Sequence, residues 1–313
     1  MAKQSSFKTS IGGQALMEGI LMRGPKKQAI VCRTADGLVE KTEELKFIKD
    51  KYPVLGWPFI RGIFTFLDSM IKGMQALLYS AELLPEELQE DDPLDRWIEN
   101  HFSAEKAKTI IIYTAVVLGL VLSLFLFVFL PAFLVGLIKP IYENYFLRNL
   151  SEGVVRIAIL LAYMGLCCKV PDVKRLFAYH GAEHKTIFCY EHRKPLTVDN
   201  VRTESRFHPR CGTSFLLVVV IVSVLVNSVV KVSNTFARMG CHLALLPVVV
   251  GISYEINRWC GLHDNILSAI LSAPGKWLQH MTTNEPDDGM IECAIRAMEL
   301  VIPENDEEAA WGK

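Results

Sequence analysis

"TIIIYTAVVLGLVLSLFLFVFLPAFLVGLI", residues 109–138, runs for thirty positions without a charged side chain. About 20 apolar residues suffice to cross bilayer hydrocarbon as a helix, so this stretch predicts a membrane span and decides the fold class. Pro131 is expected to kink it or to mark where it leaves the hydrocarbon. Three other stretches read the same way: 153–168, 213–230 and 239–256. Arg156 lies near the start of the first of these, where its side chain can snorkel. His242 and Pro247 interrupt the last. At 51% hydrophobic residues, the chain is too apolar for an ordinary soluble enzyme. Its net charge of −1 gives no bulk case for a nucleic-acid partner.

Charge placement predicts orientation. Lys169, Lys174, Arg175, Lys185, Arg193, Lys194, Arg202, Arg206 and Arg210 crowd the loop between the second and third spans. The other two connections carry only Lys139 with Arg148 and Lys231 with Arg238. The positive-inside rule then puts the 169–212 loop and both termini in the cytoplasm, with Tyr142, Tyr145 and Phe146 as an aromatic anchor outside. The start, "MAKQSSFKTSIGGQALMEG", has no apolar core or cleavage site, so no secretory signal is expected. The eight cysteines lack paired spacings and do not read as a disulfide framework.

The predicted fold is mainly α: a polytopic membrane protein of about four spans with a small β-hairpin module and interfacial helices. Residues 1–50 form the cytosolic β-rich module, where "QAIVCRT" and "LVEKTEELKF" alternate in character and join at Asp36-Gly37. Residues 51–108 hold amphipathic helical sequence, notably 56–84, and the acidic linker "PEELQEDDPLD"; an interfacial lie fits 56–84 best. Residues 109–256 form the membrane domain. Residues 257–313 read as two amphipathic helices and a frayed acidic tail, the second helix carrying the stripe Ile291, Ile295, Met298 and Val301 and capped by Asp287 or Asp288.

The chemistry concentrates in "AYHGAEHKTIFCYEH", residues 178–192. Pro171 and Asp172 start a helix predicted over 172 to about 191. On its wheel Val173, Leu176, Phe177, His180, His184, Ile187 and Phe188 share a face, with Lys174, Arg175 and Lys185 opposite. Histidines four apart stack on one helix face and can converge on one ion. With Glu183 they spell H-x-x-E-H, the reversed zinc motif, in which a glutamate can take a proton from water activated by the ion. His208, Arg210 and Cys211 in "TESRFHPRCGTSF" and Glu255 in "ISYEINRW" reach the same predicted membrane face. His208, Glu255 and Cys211 are the candidate further ligands. The alternatives are two buried histidines hydrogen-bonded to Glu204 or Glu255, and a surface ion pair of Glu255 with Arg258. His192 and His101 read as solvated, His242 as packed between spans, and His263-Asp264 as a helix cap. "IGGQALMEGILMRGP" (11–25) allows two readings: glycines that let backbone approach the membrane domain closely, bringing Glu18 or Arg23 near the histidines, or a tight turn entering a sheet.

These motifs, "GGQALMEGILMRGP", "AYHGAEHK", "HPRCGTSF", "SYE" and "LQHMTTNEPDD", resemble those of the YqhQ family of bacterial inner-membrane proteins over nearly the whole chain. The resemblance implies a metal-dependent enzyme of unassigned substrate. The residues matching the family's motifs are Glu18, Arg23, His180, Glu183, His184, His208, Arg210, Cys211, Glu255, Thr282, Thr283 and Glu285; His280 and Asn284 depart from it.

The leading expectation is a divalent-metal hydrolase, with zinc the expected ion, acting on a lipid, a peptide or a membrane protein. His180 and His184 would be ligands, Glu183 the base, and Arg210 would stabilise developing charge. The competing expectation is a non-enzymatic membrane-protein biogenesis or quality-control factor, its polar cluster structural and its amphipathic helices docking a translocon or ribosome. A transporter fits less well, because the clearest spans carry almost no ionisable residue.

Overall fold

The structure, a computed structural model, describes residues 7–46, 51–84, 104–138, 143–232 and 234–311. The expected acidic linker, His101, Lys139 and Tyr142 lie outside the described residues. The chain divides into two units, Leu84–Tyr163 with Ser223–Leu245, and Met1–Leu83 with Met164–Val222 and Leu246–Lys313.

The first of these units is helical. Helix α2 (Ala104–Leu124) runs through a π turn (Phe125–Phe129) into α3 (Leu130–Gly136). Helix α4 (Tyr145–Cys167) follows, then the end of α7 (Gly212–Asn227) and the start of α8 (Thr235–Leu262). Among the described residues, three segments, Tyr113–Gly136, Tyr145–Cys167 and Phe236–Leu262, are long and apolar enough to cross a membrane. The stretch weakest on sequence, 239–256, lies in the longest helix. Its histidine and proline do not end it, because Pro247 is tolerated inside α8. Helix α7 has 16 residues, about 24 Å at 1.5 Å per residue, which is short of a bilayer core.

Both α4 and α8 begin before their apolar windows, at 145 and 235, and this overturns the placing of two charges in loops. Arg148 and Arg238 are buried helix residues. Arg238 pairs with Glu152 at 2.8 Å, both fully enclosed, and Arg148 donates to the Val232 carbonyl at 2.8 Å. Arg156 does not snorkel. Pro131 has no N–H to offer the Phe127 carbonyl four residues earlier, and Arg156 Nε donates to that oxygen at 2.8 Å, with Nη1 on Ser223 at 3.1 Å. Gly153 lets α4 and α7 close up; a Cβ there would come within 2.3 Å of Val224.

The other unit is built on a four-stranded antiparallel meander, β1 (Gly12–Leu16), β2 (Gly19–Arg23), β3 (Lys27–Thr34) and β4 (Gly37–Glu44), in chain order. The expected hairpin is present, with Thr34 opposite Gly37 and Ala35-Asp36 between them. "IGGQALMEGILMRGP" is a second hairpin: Leu16 pairs with Gly19 across Met17-Glu18, and Glu18 takes a φ of 49°. Ile20, Met22, Ala29 and Val31 pack with α5 (Pro171–Glu191) and α10 (Asp288–Glu299) into one core. Leu16, Leu21, Ile30 and Cys32 pack with Ala76 of α1 (Ile60–Glu82) into another. Asp287 caps α10 by accepting from Met290 N–H. Asn265, rather than His263 or Asp264, caps α9 (Ile266–Thr282), through a reciprocal box with Ser268. As far as Trp311, the acidic tail is not frayed. Thr9 bridges Ala310, Ser10 N–H donates to the Ala309 carbonyl at 2.6 Å, and Trp311 N–H to the Lys8 carbonyl at 2.8 Å.

Candidate metal centre

Helix α5 begins at Pro171, whose missing N–H costs nothing in the first turn. It ends at His192, after which Arg193 turns to a φ of 58°. The expected apolar-inward, basic-outward helix is only partly realised, because from Ala178 to Glu191 it is enclosed almost all round. Lys185, expected outside, is buried, its ammonium on Glu285 at 2.9 Å and on the Arg202 carbonyl at 3.0 Å. Gly181 makes the enclosure tight: a Cβ there would lie 2.1 Å from the Asn284 carbonyl oxygen.

One ligand atom each of His180, His184 and Cys211 lies within 4.8 Å of the other two, a grouping that could hold a metal ion. The ring nitrogens are divided cleanly. His180 Nδ1 meets the Thr282 carbonyl at 2.8 Å and His184 Nδ1 the Arg206 carbonyl at 2.5 Å. With Nδ1 on backbone, Nε2 is the atom each imidazole can offer an ion once that ring is neutral, and His180 Nε2 lies 3.1 Å from the Cys211 sulfur. Holding one imidazole nitrogen on a carbonyl fixes the tautomer and aims the other, as metal-ligating histidines require. The Thr213 hydroxyl stands 3.2 Å from the same sulfur.

Electrostatics follow from this packing. Burial alone would deprotonate His180, but the Cys211 sulfur beside it and Glu183 outweigh burial and raise its pKa to about 9. Burial alone would raise the Cys211 thiol; the His180 and His184 imidazoles reverse that and hold it well below its usual value. Burial pushes the Glu183 carboxyl up, against the pull of His184 and His180. The Gly13 N–H bonds that carboxyl, and a Cβ at Gly13 would come within 3.0 Å of the Glu183 carboxyl carbon. The stretch therefore forms the tight hairpin of the second reading and sets Gly13 against Glu183, while Glu18 and Arg23 are bonded elsewhere.

Several candidate residues are placed elsewhere. His208 is not one of the three convergent groups. Its backbone N–H donates to Gln279 Oε1 at 2.8 Å, and its Nε2 faces Glu191 at 3.6 Å. Burial and the Arg210 guanidinium push it down to about 4. Arg210 is committed to a buried ion pair with Glu191 and lies over Trp311. Glu255 accepts from Arg61 at 2.5 and 2.7 Å and from the Phe59 N–H at 3.1 Å, with Arg258 adding attraction. Glu18 holds Arg175 and Tyr179, and Arg23 holds Asp68 and Ser69. Thr282 contributes its carbonyl to His180, Thr283 gives its carbonyl to Arg206 at 3.1 Å, and Glu285 pairs with Lys185. Glu204 takes His192 and Lys194 rather than His180 or His184. Sequence reasoning missed Glu191, Gln279 and Thr213. Thr213 lies two residues beyond Cys211 in a motif already singled out, which was the available signal.

A family described as "Protein of unknown function (DUF1385)" matches residues 57–304. The uncharacterized protein YqhQ of Bacillus subtilis (strain 168) is 34% identical over 293 residues, covering 93% of this chain and 92% of its own. No solved structure matches. The chain belongs to the YqhQ family, a family of unknown function.

Proposed function

We propose that this chain is a metal-dependent hydrolase working at the cytoplasmic face of a bacterial inner membrane. The observation that carries the reading is the convergence of His180, His184 and Cys211 with both Nδ1 atoms held on backbone carbonyls. Two imidazoles and a thiolate form a donor set for zinc, and three protein ligands with one position free is a catalytic rather than a structural composition. When bound, the ion supplies Lewis acidity. Glu183 is the group to accept and return a proton: burial raises its carboxyl against the pull of His184 and His180. Gly13 fixes its orientation and also lines a cavity of about 510 Å3 together with Gln14, Arg23, Arg61 and Asp68. Arg210 is left out of the chemistry, because Glu191 already neutralises it. The substrate is a lipid, a peptide or a membrane protein, reached from the cytosolic side that the basic 169–212 loop marks.

A second reading treats the cluster as a staple in a biogenesis factor that docks a translocon or ribosome. It is favoured by the same bonds, which tie α5, the 206–211 segment and the end of α9 together. Metal analysis of the purified full chain separates the two. The wild type should carry a bound ion, and His180→Ala and Cys211→Ser should lose it. Glu183→Gln should keep the ion yet fail to rescue a deletion strain. A metal-free wild type sinks the hydrolase, and full rescue by Glu183→Gln moves the site to the structural reading.

A further inference from the structure

Helix α1 is inside out. Its protein-facing side is made of small residues, Gly62, Gly73, Ala76 and Ser80, all buried. The side chains that a soluble helix would bury, Leu67, Met70, Ile71 and Met74, recur at i, i+3, i+4 and i+7 and are 48, 52, 59 and 42% exposed. The charges between Ile60 and Ala81 turn inward instead. Arg61 grips Glu255, and Asp68 is shared by Arg23 and Lys72. Water is therefore the wrong solvent for the outer face, and a contiguous apolar stripe of this kind marks a membrane or protein contact.

Its attachment decides between them. A Cβ at Gly62 would press on Tyr254, and one at Gly251 would come within 2.7 Å of the Phe59 carbonyl oxygen. Tyr254 and Gly251 belong to the candidate span Phe236–Leu262. The first turn of α1 is thus packed on the last apolar turns of a span, just before Glu255 and Arg258 mark the change to polar sequence. Tyr52 and Trp57, exposed ahead of the helix, are the aromatic types that gather at a membrane interface. Lipid around that span reaches the stripe without any partner protein.

We propose that α1 lies in the bilayer interface, its Leu67, Met70, Ile71 and Met74 face sunk among lipid acyl chains, and that Arg23 and Glu255 are positioning residues that clamp it there. The proposal does not depend on the metal reading. It accounts for two motif residues that the histidine site leaves unused.

The test uses the full chain in native membranes. A benzophenone amino acid is placed singly at Leu67, Met70, Ile71 and Met74, and at the cavity-side positions Thr65 and Ser69, then irradiated and read by peptide mass. Phospholipid adducts at the first four and none at the last two are expected. Polypeptide adducts at the stripe would replace lipid by a protein partner and overturn the proposal. In parallel, Ile71→Cys should lose labelling by a membrane-impermeant maleimide while Ser69→Cys keeps it; labelling at both would put the stripe in water. Glu255→Gln should restore maleimide labelling at Ile71→Cys if the clamp holds the helix in place, and unchanged protection removes Glu255 from that role.

Discussion

At His180, His184 and Cys211, each imidazole has one nitrogen on a backbone carbonyl and the other left for a common point. At Arg148, Glu152, Arg156 and Arg238, by contrast, three guanidiniums are balanced by one carboxylate and by nearby carbonyls, and no set of lone pairs is aimed at a common point. The first cluster holds donor atoms in reserve; the second has its polar atoms turned to holding helices together. Burial is common to both, so burial alone does not mark a site. What differs is whether fixed partners leave lone pairs aimed at one place.

The largest effect expected from this contrast is in the spans. Arg238→Gln removes the ion-pair partner of the buried Glu152 carboxylate, and breaking a buried pair costs about 3–5 kcal/mol. Thermal unfolding in detergent should show the loss, and the Glu152→Gln, Arg238→Gln double variant should recover part of it. A neutral single variant would mean that the pair does not hold these helices.

A smaller effect separates the histidines of the other cluster by pH, on protein stripped with a chelator. His208, depressed to about 4 from 6.5, binds its proton less readily folded than unfolded. Its contribution is full above pH 6.5 and is lost as pH falls towards 4, roughly 3 kcal/mol in all. His180, raised to about 9, has the opposite sign: its contribution is present below pH 6.5 and is lost as pH rises through 9. His208→Asn should flatten the acid limb of a stability–pH curve, and His180→Asn the alkaline limb. Identical limbs in both variants would show that the two imidazoles are not differently held.

The smallest effect is expected at the rim. His192 is about half exposed and bonded to Glu204, a pair of the kind that contributes at most about 1 kcal/mol. His192→Asn should leave metal content untouched. A loss of metal would extend the centre beyond its three groups.

Much of this was legible in the sequence. The span at 109–138, the helix from Pro171 to Glu191 and the pairing of His180 with His184 follow from hydropathy, a helix-start signal and a four-residue spacing, all of them local. The choice among His208, Cys211 and Glu255 was not local. It turned on Gln279 gripping the His208 backbone from 71 residues away and on Arg61 claiming Glu255. The charges Arg148 and Arg238 were misread for a related reason: hydropathy ends a span at its first arginine, whereas a helix continues where a glutamate on a neighbouring helix, or a backbone carbonyl, can receive it. The inverted stripe of α1 was visible as helical spacing, but which side faced protein depended on where Gly62 and Gly73 met their neighbours.

The bridge between Thr9 and Ala310 has a consequence for the order of assembly. Chains emerge at about 5–20 residues per second, so the first strands wait roughly 15 to 60 s for the segment that closes over them. His180 and His184 appear midway, Cys211 shortly after, and the Thr282 carbonyl that fixes His180 only near the end. During that interval the growing chain carries two histidines and a thiol with no fixed geometry, while most of its apolar helices are already made. On the proposed metal reading, ion capture belongs to the finished chain, because the Thr282 carbonyl that fixes His180 is among the last parts made.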